Sequence, residues 1–280
     1  VTAAATPVRL DRLRALPSLP QVVLDVQAAL AREDVSLDDV AGTIALDQGL
    51  TAKALRIANC SFYGVPTRVV SIRQAISVLG LRSVSTLLMT AAISECFPRV
   101  ACRAFSLRGY WRHSVGVALC ARQIARRLRV DADLAFTAGL LHDLGRLVLA
   151  TLEPDALEAT YRRRGADDCQ MLDAELATLG TDHAAVGAEV GLRWHFGQAV
   201  VDAVRLHHRP PAAQAPNATD IVHVADNIVH ALDIADDRDE MVPALDTGAW
   251  NRVGLGPADC LVLFEDTEAE LDGLCRALGV

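Results

Sequence analysis

Lysine is almost missing from this 280-residue chain, with Lys53 the only one. Arginine carries the positive charge, a bias that reads as GC-rich coding and not as a recognition code. The formal net charge of -8 argues against a nucleic-acid surface, since phosphate backbones are held by net positive patches. Local clusters at Arg126, Arg127 and Arg129 and at Arg162 to Arg164 read as solvated helix ends, where cations favour the C-terminal dipole. Aromatic residues make up only 4% of the chain. The seven cysteines, an odd number, include no C-x-x-C pair, so neither a disulfide framework nor a zinc knuckle is indicated. Cysteines in apolar helical runs behave as small hydrophobes and fit a reducing compartment. A charged-then-apolar leader is not seen, and the most apolar stretch, Leu134 to Leu152, is interrupted by His142, Asp143 and Arg146. It reads as a buried helix and not a membrane segment, and the expected location is the cytoplasm.

Strand-like alternation bounded by Asn-Gly or Asp-Gly turns is also lacking. Alanine and leucine, the strongest helix formers, abound instead, and the fold expected is all-α. A tail over 1–15 is followed by Leu16-Pro17-Ser18-Leu19-Pro20 opening a helix, with proline tolerated in a first turn. Ser36 with Asp39 resembles a capping box for a helix through Leu46. Further helices are expected over Leu50–Ala58, Ile72–Leu79 and Ser83–Phe97, with Ser61–Pro66 a loop. Pro98 and Arg99 mark a boundary between an N-terminal helical subdomain (16–98) and a helical core (99–235). In that core the expected helices are Phe105–Leu128, Asp131–Leu152, Pro154–Arg164, Asp168–Thr178, Asp182–Trp194, Gly197–His207 and Thr219–Leu232. Residues 236–280 are expected to be an irregular acidic stretch (Ile234–Arg252), then two closing helices, Pro257–Phe264 and Glu265–Leu278.

The residues that carry chemistry start at His142-Asp143, in the run Ala138 to Leu147. Burying both in an apolar segment costs several kcal/mol, on the order of 2–7, unless they are paired, hydrogen-bonded or metal-bound. On one continuous helix their side chains stand about 100° apart and can reach a common point only at the edge of a face. His113 on the preceding helix can meet His142, and Asp226 can close the set from a late helix. Imidazoles with carboxylates suit a divalent Fe, Mn, Zn or Ni ion, and disfavour an all-oxygen Mg or Ca cage. His195, beside Trp194 and Phe196, reads as a surface or packing residue. His223 and His230, on the helix of Asp226, read as capping or solvent-exposed.

An ordered series of His, His-Asp, His, His-His and Asp on helices resembles the HD superfamily of metal-dependent phosphohydrolases. The stretches Leu16–Pro20, Ile44–Asn59, Ile72–Gly80, Ala138–Leu147, Thr181–Gly187, Arg193-Trp194 and Leu206–His208 are similar to signatures of its HDOD branch, whose members are mostly signalling modules. The likeness implies an N-terminal helical bundle packed on an HD-type core. It also implies that His183, His207 and His208 would hold a second metal, as in the related HD-GYP phosphodiesterases. Departures from those enzymes are specific. Arg146 stands where they have lysine, Gly109 where a glutamate precedes the first histidine, and Arg209-Pro210-Pro211-Ala212 where a Gly-Tyr-Pro loop follows His-His.

Three readings stay open: a satisfied internal polar network, a metal centre without turnover, and a competent phosphohydrolase. The favoured function is a bacterial regulatory module that binds a signalling protein or a small nucleotide-like ligand. The alternative is a phosphohydrolase acting on a nucleotide or cyclic dinucleotide, with one or two metal ions. There Asp143 would be catalytic, and Arg146 would steady phosphate charge.

Overall fold

The computed structural model of the chain describes residues 16, 18–30, 36–60, 65, 68–235 and 241–280, and these form helices without strands. The expected tail over 1–15 and most of the Ser61–Pro66 loop lie outside the described residues. In order the helices are α1 (Gln21–Leu30), α2 (Leu37–Ala45), α3 (Gln48–Ala58), α4 (Ile72–Leu79), α5 (Leu81–Cys96), α6 (Leu107–Leu128), α7 (Ala132–Leu141), α8 (Leu144–Leu152), α9 (Pro154–Asp167), α10 (Met171–Leu179), α11 (His183–Arg193), α12 (Gln198–Leu206), α13 (Ala218–Ala231), α14 (Thr247–Val253) and α15 (Pro257–Leu278).

Two compact units emerge from the contacts. One holds Pro17–Pro98 with Glu268–Val280. Its helices start on side-chain caps: Ser36 accepts from the Asp39 amide, Asp47 from Leu50 and Ser71 from Gln74, each satisfying an orphan N–H of the first turn. Leu50, Ala54, Ile57 and Ala58 of α3 are buried, and α3 packs on α5. Leu46, just past the end of α2, is 85% exposed. Arg56 Nε donates to the Ala277 carbonyl at 2.7 Å, which ties the end of α15 to α3.

The other unit, Val1–Leu16 with Arg99–Thr267, is built on the α6–α7 and α6–α13 pairs. α6 is buried along most of its length because alanine and glycine allow close approach: a Cβ on Gly139 would stand 3.0 Å from the Ala118 Cα and the Val117 oxygen. α8 and α11 meet more closely still. A Cβ on Gly145 would overlap the His183 carbonyl oxygen and lie 2.7 Å from the Gly187 nitrogen, while one on Gly187 would lie 2.9 Å from Val204 Cγ1. Only hydrogen fits between these backbones.

Three expectations are corrected. The single helix expected over Asp131–Leu152 is two, α7 and α8, broken where Asp143 takes φ -97°, ψ 12° in the bridge region. The expected irregular Ile234–Arg252 contains α14, begun by Asp246 accepting from the Ala249 amide. The expected closing pair is one helix, α15, which runs through Phe264 and Glu265 with neither proline nor glycine at the junction.

The contact between α8 and α11 predicts that Gly145→Ala lowers the unfolding free energy by about 3 kcal/mol, the overpacking range of a rigid core. Urea denaturation of the variant measures it. A change under about 0.5 kcal/mol, the size of a surface substitution, would show that the helices can move apart freely.

Candidate metal centre

Every side chain expected at the site comes to one place. His113 projects from α6, His142 and Asp143 from the α7–α8 break, His183 from the start of α11, His207 and His208 from the end of α12, and Asp226 from α13. The break explains the convergence of the adjacent pair. Outside continuous helix, His142 Nε2 and Asp143 Oδ1 are 3.7 Å apart, where helical geometry would splay them.

The donors fall into two groups joined by one carboxylate. In the first, His113 Nε2 lies 3.2 Å from His142 Nε2 and 3.0 Å from Asp226 Oδ1, with His142 Nε2 to Asp226 Oδ1 at 3.5 Å. In the second, His183 Nε2 lies 3.4 Å from His207 Nε2 and 2.9 Å from His208 Nε2. Asp143 Oδ1 stands between them, 3.2 Å from His183 Nε2 and 3.8 Å from His207 Nε2 as well as near His142. Donors about 2.1 Å from a common ion sit roughly 3 Å from one another, so these spacings fit ligation.

Backbone and carboxylate acceptors fix the ring orientations. His142 Nδ1 donates to the Gly139 carbonyl at 2.7 Å and His207 Nδ1 to the Val204 carbonyl at 2.8 Å. A carbonyl can only accept, so in each ring the proton sits on Nδ1 and the Nε2 lone pair faces the cluster. His183 Nδ1 is held at 2.6 Å by Glu175 Oε2, which also accepts from the His183 amide at 2.9 Å. Such outer partners orient imidazole ligands and raise their basicity. Both carboxylate oxygens of Asp226 are buried without a donor aligned for a hydrogen bond, although His113 Nε2 and His230 Nε2 lie 3.0 and 3.2 Å from Oδ1. Close approach without hydrogen-bond alignment is what donors around a shared cation show.

Charge in the cluster is uneven. Burial, with neighbouring His183, pushes His208 down to about 3, and burial with His208 and His142 holds His207 well below the usual imidazole range. Burial and His230 lower His113. Burial also opposes charge on His183, but Glu175 and Asp143 outweigh it and raise the group to about 9. His142 is raised in the same way, by Asp143 and Asp226 against burial. Both aspartates stay ionised: burial disfavours it, yet His142, Arg146 and His183 hold Asp143 well below the carboxylate range, and His230, His113 and His142 do so for Asp226.

Arg146 is less free than its sequence position suggests. Its Nη1 binds Asp143 Oδ2 at 3.0 Å and its Nη2 reaches the Tyr161 hydroxyl at 3.3 Å. Two residues belong to the site that sequence reasoning passed over. His230 Nε2 lies 3.2 Å from Asp226 Oδ1, and its ring is tilted against that of His113 with centroids 4.6 Å apart. Its spacing of four from Asp226 was the available signal, so the capping or exposed role expected for it is corrected. Glu175 had no such signal, since α10 brings it to His183 only through tertiary packing. His223 is corrected too. Only 1% exposed, it donates from Nδ1 to the His207 carbonyl at 2.6 Å and accepts at Nε2 from the Asp246 amide at 2.8 Å. It is a structural link and not a ligand. His195 stands in solvent with a left-handed φ of 57°.

Comparison with known proteins agrees with this fold. The HDOD domain family profile matches residues 16–210. A crystal structure of an HDOD domain protein from Geobacter sulfurreducens superposes with a TM-score of 0.75 at 25% identity, covering 96% of this chain and 97% of its own. A candidate phosphohydrolase from Shewanella amazonensis gives 0.74 at 26% identity, with 96% of each chain covered. An uncharacterized protein of Treponema pallidum is 27% identical over 207 residues, which is 72% of this chain and 39% of that protein. The chain thus spans well under half the length of that relative.

Protonation linkage predicts how the metal-stripped protein responds to pH. His207 and His208 have lowered folded values, so their contribution is complete above about pH 6.5 and is lost as pH falls, towards about 3 for His208. His183 is raised, so its contribution is complete below about pH 6.5 and is lost as pH rises through about 9. Stability in chelator should therefore peak near neutrality and fall on both sides. Denaturant midpoints at about pH 5, 6.5 and 8.5 check it, and a maximum at either extreme would contradict the assignment.

Proposed function

The chain belongs to the HDOD family, and on that premise we propose that it is a regulatory module whose buried histidine–aspartate centre holds one or two divalent metal ions. Through that centre it binds a small nucleotide-like ligand, and a signalling protein reads the bound state. The observation that carries this is the orientation of His142, His183 and His207. Each has Nδ1 tied to an acceptor outside the cluster and Nε2 turned inward, around an aspartate oxygen no more than 3.8 Å from any of the three.

His113, His142, Asp143 and Asp226 would hold the first ion, with His183, His207 and His208 holding the second and Asp143 facing both. Fe, Mn, Zn or Ni suits this mixed donor set. Bound metal supplies Lewis acidity and an activated water. The chain's own residues do the rest. Glu175 orients His183, Arg146 holds the second oxygen of Asp143, and His223 fixes the His207 carbonyl against the segment that begins α14.

A second reading, hydrolysis of a phosphoester, is favoured by the placement of Asp143 Oδ1 between the two donor groups, since a shared carboxylate suits two-metal chemistry. Against efficient turnover stands substrate positioning, worth about 7–11 kcal/mol of barrier. Gly109 and Arg209-Pro210-Pro211-Ala212 occupy the places where the catalytic relatives carry a glutamate and a Gly-Tyr-Pro loop.

Elemental analysis of protein purified without chelator should find at least one equivalent of a transition metal. The His142→Ala, Asp143→Ala double variant, and separately His208→Asn, should show reduced uptake. In single-turnover assays with Mn, Fe or Ni, cyclic dinucleotides and nucleotides should be hydrolysed slowly or not at all. Metal-free wild-type protein that takes up none on titration would refute the centre. Robust turnover abolished in the double variant would establish the enzymatic reading instead.

A further inference from the structure

The cluster opens into a small pocket that Arg164 also lines. Arg164 comes from α9, in the Arg162–Arg164 run that the sequence reads as a solvated helix end. That reading holds for its neighbours. Arg162 and Arg163 are exposed, and Arg163 pairs with Asp167 at 3.1 Å on the surface. Arg164 turns inward instead. It is 7% exposed, its Nη2 is buried without a hydrogen-bond partner, and no carboxylate among the described residues forms an ion pair with it. A buried guanidinium without an ion-pair partner among the described residues is expensive to keep. Arg146 differs, being engaged by Asp143 and Tyr161.

We propose that Arg164 is the anion anchor of this cavity and takes the phosphoryl group of a small phosphorylated ligand. Guanidinium is matched to phosphate by its planar fork of donors and its permanent charge. The rest of the cavity wall fits a phosphoryl group better than a carboxylate. Asp143, His183, His208 and Asp226 of the donor cluster line the same space, and a tetrahedral phosphoryl group has oxygens for both a metal ion and Arg164. Met171, Leu172, Met241 and Pro243 supply an apolar remainder for the body of the ligand, such as a nucleobase. Arg146 is then a positioning residue acting through Asp143, and the phosphate-steadying role expected of it passes to Arg164. This assignment names the ligand class for the function proposed above and rests on that reading for the metal alone.

The test uses AMP as phosphorylated probe and adenosine as its uncharged control, titrated calorimetrically into the whole chain with and without Mn. Wild-type protein should bind AMP and not adenosine. Arg164→Gln should weaken AMP binding at least tenfold, Arg164→Lys should restore part of it, and Mn uptake should be the same in all three. The melting temperature of Arg164→Gln should match or exceed that of wild type. Equal AMP affinity in wild type and Arg164→Gln, including no binding by either, would overturn the proposal. So would a clearly lowered melting temperature in Arg164→Gln, which would make Arg164 structural. Failure of the metal reading would show separately, as absent Mn uptake by wild type. Arg164-dependent AMP binding would survive that result.

Discussion

The buried carboxylate of Asp143 is the interaction on which the HD-type core depends. It is 3% exposed, yet ionised, because imidazoles from α11, α12 and the α7–α8 break surround one oxygen and Arg146 holds the other. An isolated carboxylate in that position would be forced to its neutral form or would unfold the core. Stability and chemistry are coupled here. The groups that keep Asp143 charged are the same donors that would hold a cation, and the cost of assembling them is offset only when they are together.

Backbone geometry delivers these groups. Gly139 lets α7 close on α6, which sets His142 against His113, and Gly145 lets α8 touch α11, which sets Asp143 against His183. The interruption between α7 and α8 does the remaining positioning, as it frees two adjacent side chains from the angular separation of a helix. Outer partners then fix each ring. Glu175, the Gly139 and Val204 carbonyls, and the His223 link from the His207 carbonyl to Asp246 leave the cluster with few rotational choices. A site built this way is preorganised.

Within the cavity the two inward arginines divide their roles by what already holds them. Arg146 is occupied by the centre itself, so its charge is part of the internal balance. Arg164 forms no ion pair among the described residues, which leaves its guanidinium for a ligand. The excess negative charge of the whole chain makes such a local cation more telling than it would be on a basic protein.

Sequence alone determined the helical class, through composition and the lack of strand patterning, and most helix positions, through caps and apolar spacing that act over a few residues. It also singled out His142-Asp143, conspicuous in an apolar run, with His113 and Asp226 as their partners, while the resemblance to HD proteins added His183, His207 and His208. Tertiary structure decided what depends on distance in space. The helix break at Asp143, the continuity of α15, the recruitment of Glu175 and His230, the structural role of His223 and the inward turn of Arg164 all follow from which helices touch. Local propensity cannot report that. An arginine at a helix end has the same sequence signature whether it faces water or a cavity, and only the packing of α9 beside the cluster separates the two.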